Sequence, residues 1–134
     1  MIKNLVQILG IKFGIIDKER AKITEFPSLM ERAKAFEIAQ DYVRLVAAKY
    51  PVKRVLLFGA YAAGNPHPDS DIDLAIILDE AENLFDIQGQ MMILRKNEAV
   101  YIEPHPFRES DFVINDPFAA EIISTGVELE VPER

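Results

Sequence analysis

The chain has 134 residues, 49% of them hydrophobic and 28% charged, enough apolar material for one globular domain with a core. A net charge of −7 is unsuited to wrapping DNA or RNA, where Lys and Arg must neutralise phosphates, so no extended nucleic-acid surface is expected. The absence of cysteine excludes disulfides and thiolate metal sites, and no apolar run approaches the roughly 18 residues that cross a bilayer.

Residues 1–27 read as an N-terminal arm. The start, MIKNLVQILGIKFGII, has an early Lys and an apolar stretch, but it lacks a small-residue cleavage site and Lys12 interrupts it. It is therefore not read as a signal peptide, and a cytoplasmic location is expected. The following DKERAKITEF predicts a short helix that stops before Pro27, because a residue preceding proline disfavours the helical region. The simpler reading is an arm that packs on the domain; because its apolar side chains would otherwise sit in water, the alternative is a contact in a homo-oligomer.

Residues 28–134 form the expected domain. Ser28-Leu29-Met30-Glu31 has the form of a capping box, and Leu29, Ala33, Phe36, Val43, Ala47 and Tyr50 fall on one stripe of a helix that Pro51 ends. Val55 to Phe58 reads as a buried strand. Gly59 to Gly64 reads as a glycine turn with a short helical start, followed by a Pro/Asn/Asp loop. A second buried strand runs to Leu78. Leu84, Ile87, Met91 and Leu94 mark a second helix, with the methionines as core filler. Residues 98–107 alternate as a third strand, and Pro104 and Pro106 place it at an edge or leaving the sheet. Asp116-Pro117 predicts a helix start, Gly126 its end, and VELEV a short closing strand or tail. The fold expected is α/β (α+β in classification terms), a short mixed sheet with helices packed mainly on one face.

Asp71 and Asp73 carry the chemistry. Residues two apart on a strand share a face, so both carboxylates should project from one side of the sheet at its rim. Paired acids beside a glycine turn are costly without a cation. A divalent metal is the economical answer, and exposed backbone N–H groups next to it suit a phosphate. Two carboxylates seldom hold two ions, so a third should arrive from another strand, and Glu103 is the candidate. His105, two residues on and on the same face, could stand behind the ligands. His67 in the loop is more simply a solvated side chain, and Tyr61 more simply a space filler than a base-stacking ring.

Gly59, Gly64, Asp71 and Asp73, with Ser70 just before the first aspartate, resemble the signature of the DNA polymerase beta-like nucleotidyltransferase superfamily, and most closely its minimal nucleotidyltransferase branch. The resemblance implies Mg²⁺-dependent transfer of a nucleoside monophosphate from an NTP, ATP first among them, to an acceptor hydroxyl on a protein, RNA or small molecule. It implies two Mg²⁺ ions on Asp71, Asp73 and a third carboxylate, here Glu103 where the family usually has Asp. Gly59, Ala60, Gly64 and Ser70 would line the phosphate loop. The family serine after the first glycine is Ala60 here. That departure, with Glu103, supports an alternative: a catalytically weak binding protein of the same fold, such as the antitoxin partner of a small helical toxin.

Overall fold

The computed structural model describes residues 26–64 and 71–133, with side chains of the first helix from residue 31 onward. The sequence expectations for residues 1–25, for His67 and for Ser70 lie outside the described residues.

Helix α1 runs Phe26–Lys49. Its buried stripe holds Phe36, Val43 and Ala47, as the spacing predicts, and widens to Ala35, Ala39, Tyr42 and Val46. The helix already contains Ser28, so this serine is not its N-cap; the start moves upstream to Phe26, and Pro27 sits in the first turn, where its missing N–H has no intrahelical partner to lose. Strand β1 (Val52–Phe58) follows, then a single helical turn, α2 (Ala60–Ala63), and strand β2 (Ile72–Leu78). Helix α3 (Leu84–Ile93) is capped by Asn83, whose side chain accepts from the Asp86 N–H at 3.1 Å. Met91 on its inner face is fully buried.

The third strand begins later than the alternation predicts. Asn97–Tyr101 is a 3₁₀ turn, and β3 covers Ile102–Arg108. Asn97 takes φ 54°, a left-handed conformation that asparagine tolerates. Arg95 Nη1 donates to the carbonyls of Val100 (3.0 Å) and Ile102 (3.1 Å), fixing the turn, and Val100 and Tyr101 face solvent. Helix α4 (Pro117–Thr125) starts at the expected Asp116, which accepts from the Phe118 N–H at 3.1 Å, and β4 (Val127–Leu129) closes the sheet.

The strand order is β3-β2-β1-β4. β1 pairs antiparallel with β2 and β4, and β2 pairs parallel with β3, so the sheet is mixed as expected. β3 is an edge strand, where Pro104 and Pro106 can lack N–H donors without leaving inner ladder acceptors unpaired.

One face of the sheet (Val55, Leu57, Ile72, Leu74, Ile76, Leu78, Ile102) packs on α1 and on Met91 of α3. The Tyr42 hydroxyl donates to the Met91 carbonyl at 2.5 Å and ties these helices together, while burial pushes the Tyr42 phenol pKa up. Gln40, the buried polar side chain of α1, donates to the Glu130 carbonyl and accepts from its N–H, anchoring the segment after β4. The other face (Leu56, Ala75, Ile77) is covered by Phe112 and by Ala119 and Ile122 of α4. The two longer packing helices thus share a face, and the shorter α4 takes the opposite one. Among the described residues, no helix is long and apolar enough to cross a membrane.

Candidate active site

The register brings chemistry to one corner of the α4 face. Phe58 on β1 lies opposite Asp73 on β2, and Asp73 lies opposite Glu103 on β3. These three form a row across the sheet near the start of β2. His105 belongs to the next row, paired with Ala75. His105 Nε2 lies 3.3 Å from Asp73 Oδ1 and 3.8 Å from Glu103 Oε1. One ligand atom from each of Asp73, Glu103 and His105 can be chosen so that all three lie within 4.8 Å of one another.

Glu103 meets Asp73 at the start of its strand, not at its end. It is the second residue of β3, and Asp73 is the second of β2; because these strands run parallel, their starts lie side by side. The sequence Glu103-Pro104-His105-Pro106 also keeps both residues in extended backbone, since a residue before proline disfavours the helical region. Phe58 packs against the His105 ring at 5.2 Å between centroids, with Phe118 of α4 at 6.1 Å. The aromatic wall was not among the residues singled out from the sequence. Phe118 has no motif, and its position depends on α4 folding onto the sheet.

Asp71 stands immediately before β2, exposed, and is not among the clustered ligands. Its charge acts on Tyr61, whose hydroxyl pKa is pushed up first by burial and then by the carboxylates of Glu31 and Asp71.

The glycine turn abuts Asp73 directly. Gly59 has φ 79° and ψ −151°, and a Cβ there would lie 2.5 Å from Asp73 Oδ2. Gly64 closes the turn of α2 at φ 84° and ψ 13°. Arg32 of α1 supports this turn from behind, its Nε donating to the Tyr61 carbonyl at 3.2 Å, and burial lowers its guanidinium pKa. Periodicity assigns Arg32 to the polar side of the helix, and only the packed turn shows its contact. A groove of about 420 Å³ runs from the turn to α4, lined chiefly by Phe58, Ala60, Ala63, Phe118 and Ile122.

Two carboxylates and an imidazole converging at a partly exposed rim can hold a divalent cation. Metal–ligand bonds of about 2.0–2.2 Å place neighbouring ligand atoms about 3.0–3.5 Å apart, close to the spacing of His105 and Asp73. The donor set therefore fits an ion.

A crystal structure of a provisionally named nucleotidyltransferase from Sulfolobus solfataricus superposes with a TM-score of 0.61 at 19% identity, covering 86% of this chain and 95% of that one. A Methanocaldococcus jannaschii protein provisionally named a protein adenylyltransferase is 41% identical over 44 residues. That match spans 33% of this chain and 44% of the relative's length. Residues 41–130 match the family model described as polymerase beta, nucleotidyltransferase; the chain belongs to this nucleotidyltransferase family.

Proposed function

We propose that the protein transfers a nucleoside monophosphate from an NTP to an acceptor hydroxyl, with pyrophosphate leaving. The observation that carries this is the adjacent register of Asp73 and Glu103 beside the Gly59 turn. Asp71 and Asp73 would hold the ion that accompanies the triphosphate, and Asp73 with Glu103 the ion beside the acceptor. When bound, such ions, Mg²⁺ in the simplest case, neutralise charge on the attacking and leaving oxygens.

The chain's own groups supply the rest. Backbone N–H groups of the Gly59–Gly64 turn would face the phosphates, and the groove between this turn and α4 would receive the nucleoside. The acceptor oxygen forms a bond to the α-phosphorus as the bond to pyrophosphate breaks, and Glu103 takes the hydroxyl proton. ATP is the first nucleotide to test, given the relative provisionally named as an adenylyltransferase, and a protein is the first acceptor.

Incubation with α-labelled ATP, divalent metal and a cell extract should transfer label to an acceptor. Glu103→Gln should reduce transfer about 10²–10⁴-fold, the range for a lost general base, while changing nucleotide affinity far less. Equal transfer by the Gln variant would remove Glu103 from the chemistry. Nucleotide binding without transfer under any condition would favour the second reading, a binding protein such as an antitoxin, which the missing hydroxyl at Ala60 supports.

Restoring that hydroxyl is the complementary experiment. Ala60 opens α2 directly after Gly59, so in Ala60→Ser the side chain would start at the mouth of the turn. A hydrogen bond to a charged group contributes about 1.5–3 kcal/mol, and a fraction of this should appear as tighter NTP binding by calorimetry. No gain would mean that the turn does not hold the triphosphate.

A further inference from the structure

We infer that His105 is itself a metal ligand and that the ion on Asp73 and Glu103 is a nitrogen-accepting first-row divalent cation rather than Mg²⁺. This rests on the nucleotidyltransferase reading of the same site and adds the identity of one ion. Three observations support it.

The first is distance. His105 Nε2 is 3.3 Å from Asp73 Oδ1 and 3.8 Å from Glu103 Oε1. An imidazole standing behind a carboxylate ligand would contact one acid; this one faces both. The second is fixation. Pro106 confines the His105 backbone to an extended conformation, and Phe58 and Phe118 flank the ring. The imidazole is thus held at the acids rather than left to sample solvent, and its side chain is only 22% exposed. The third is the row geometry. His105 is paired with the small Ala75, and its ring reaches across to Asp73 in the preceding row.

Donor type then determines the ion. Mg²⁺ favours carboxylate, phosphate and water oxygens, whereas imidazole nitrogen suits transition ions. Asp71, outside the cluster, remains available to an oxygen-bound ion carried in with the nucleotide. The two positions would thus differ in chemistry, one all-oxygen and one mixed.

The test uses the full chain with Mn²⁺ or Mg²⁺ alone, without nucleotide. Mn²⁺ binding is followed by electron paramagnetic resonance, with pulsed spectra recording coupling to a directly bound ¹⁴N, and Mg²⁺ is added as competitor. The parent should show ¹⁴N coupling and should need a large excess of Mg²⁺ for displacement. His105→Gln should lose the coupling and should lower Mn²⁺ affinity far more than Mg²⁺ affinity, because only the first ion gains from an imidazole donor. The coupling is read in the parent, so an unstable variant does not spoil the test. Mn²⁺ that binds through Asp73 without ¹⁴N coupling, and with the same preference over Mg²⁺ in His105→Gln, would overturn the inference and leave the nucleotidyltransferase site intact. No Mn²⁺ binding, or binding unchanged by Asp73→Asn, would overturn the inference, whereas the nucleotidyltransferase reading fails separately, if no label passes from ATP to an acceptor.

Discussion

Asp73→Asn is expected to abolish metal-dependent nucleotide binding and to lower nucleotidyl transfer by about three orders of magnitude or more. A bound metal contributes several kcal/mol of charge stabilisation at a phosphoryl centre, and about 1.4 kcal/mol corresponds to each tenfold in rate. Asp73 is the carboxylate through which the cluster connects: it is paired with Glu103, touched by His105 and seated over Gly59. Its side chain is 24% exposed, and among the described residues Glu103 is another acid in its cluster. Removing the charge should therefore leave thermal stability unchanged or slightly raised. Adding Asp71→Asn should complete the loss by removing the ligand proposed for the other ion. Calorimetric titration with Mg²⁺ and ATP, beside a thermal melt, measures both effects. A variant that binds nucleotide like the parent, or that unfolds, would contradict the metal site.

Gly59→Ala should damage both stability and the site. Its φ 79°, ψ −151° backbone lies in a region essentially reserved for glycine, where another residue costs about 1–3 kcal/mol. The new methyl would also meet Asp73 Oδ2 at 2.5 Å and force the carboxylate away from its partners. A fall of several degrees in Tm is expected, with metal affinity down about 10–100-fold, as when a ligand's support is lost. Gly64→Ala is the control. Gly64 also has positive φ, but the nearest atoms to its added Cβ belong to the Arg32 side chain at 3.6 Å or beyond. It should cost about 1–2 kcal/mol of backbone strain and leave metal affinity nearly unchanged. Equal effects of the two substitutions on metal binding would mean that Gly59 acts only through the backbone.

Local signals in the sequence determined much of this protein. The apolar run of β2, the stripe Leu84, Ile87, Met91, Leu94 of α3, and the Asp116-Pro117 start of α4 are each legible because period and capping depend on a few neighbouring residues. The motif of Gly59, Gly64, Asp71 and Asp73 was likewise legible, through its resemblance to the nucleotidyltransferase signature. Tertiary structure decided what joins them. Whether Glu103 meets Asp73 depends on β3 running parallel to β2 from Ile102, and alternation alone extended that strand back through the Asn97–Tyr101 turn. Phe118 reaches His105 only because α4 packs across the opposite face of the sheet, and Arg32 leaves the polar side of α1 only because the glycine turn lies against it. Strand register and helix docking are settled by burial between segments distant in the chain, so no short window of residues encodes them.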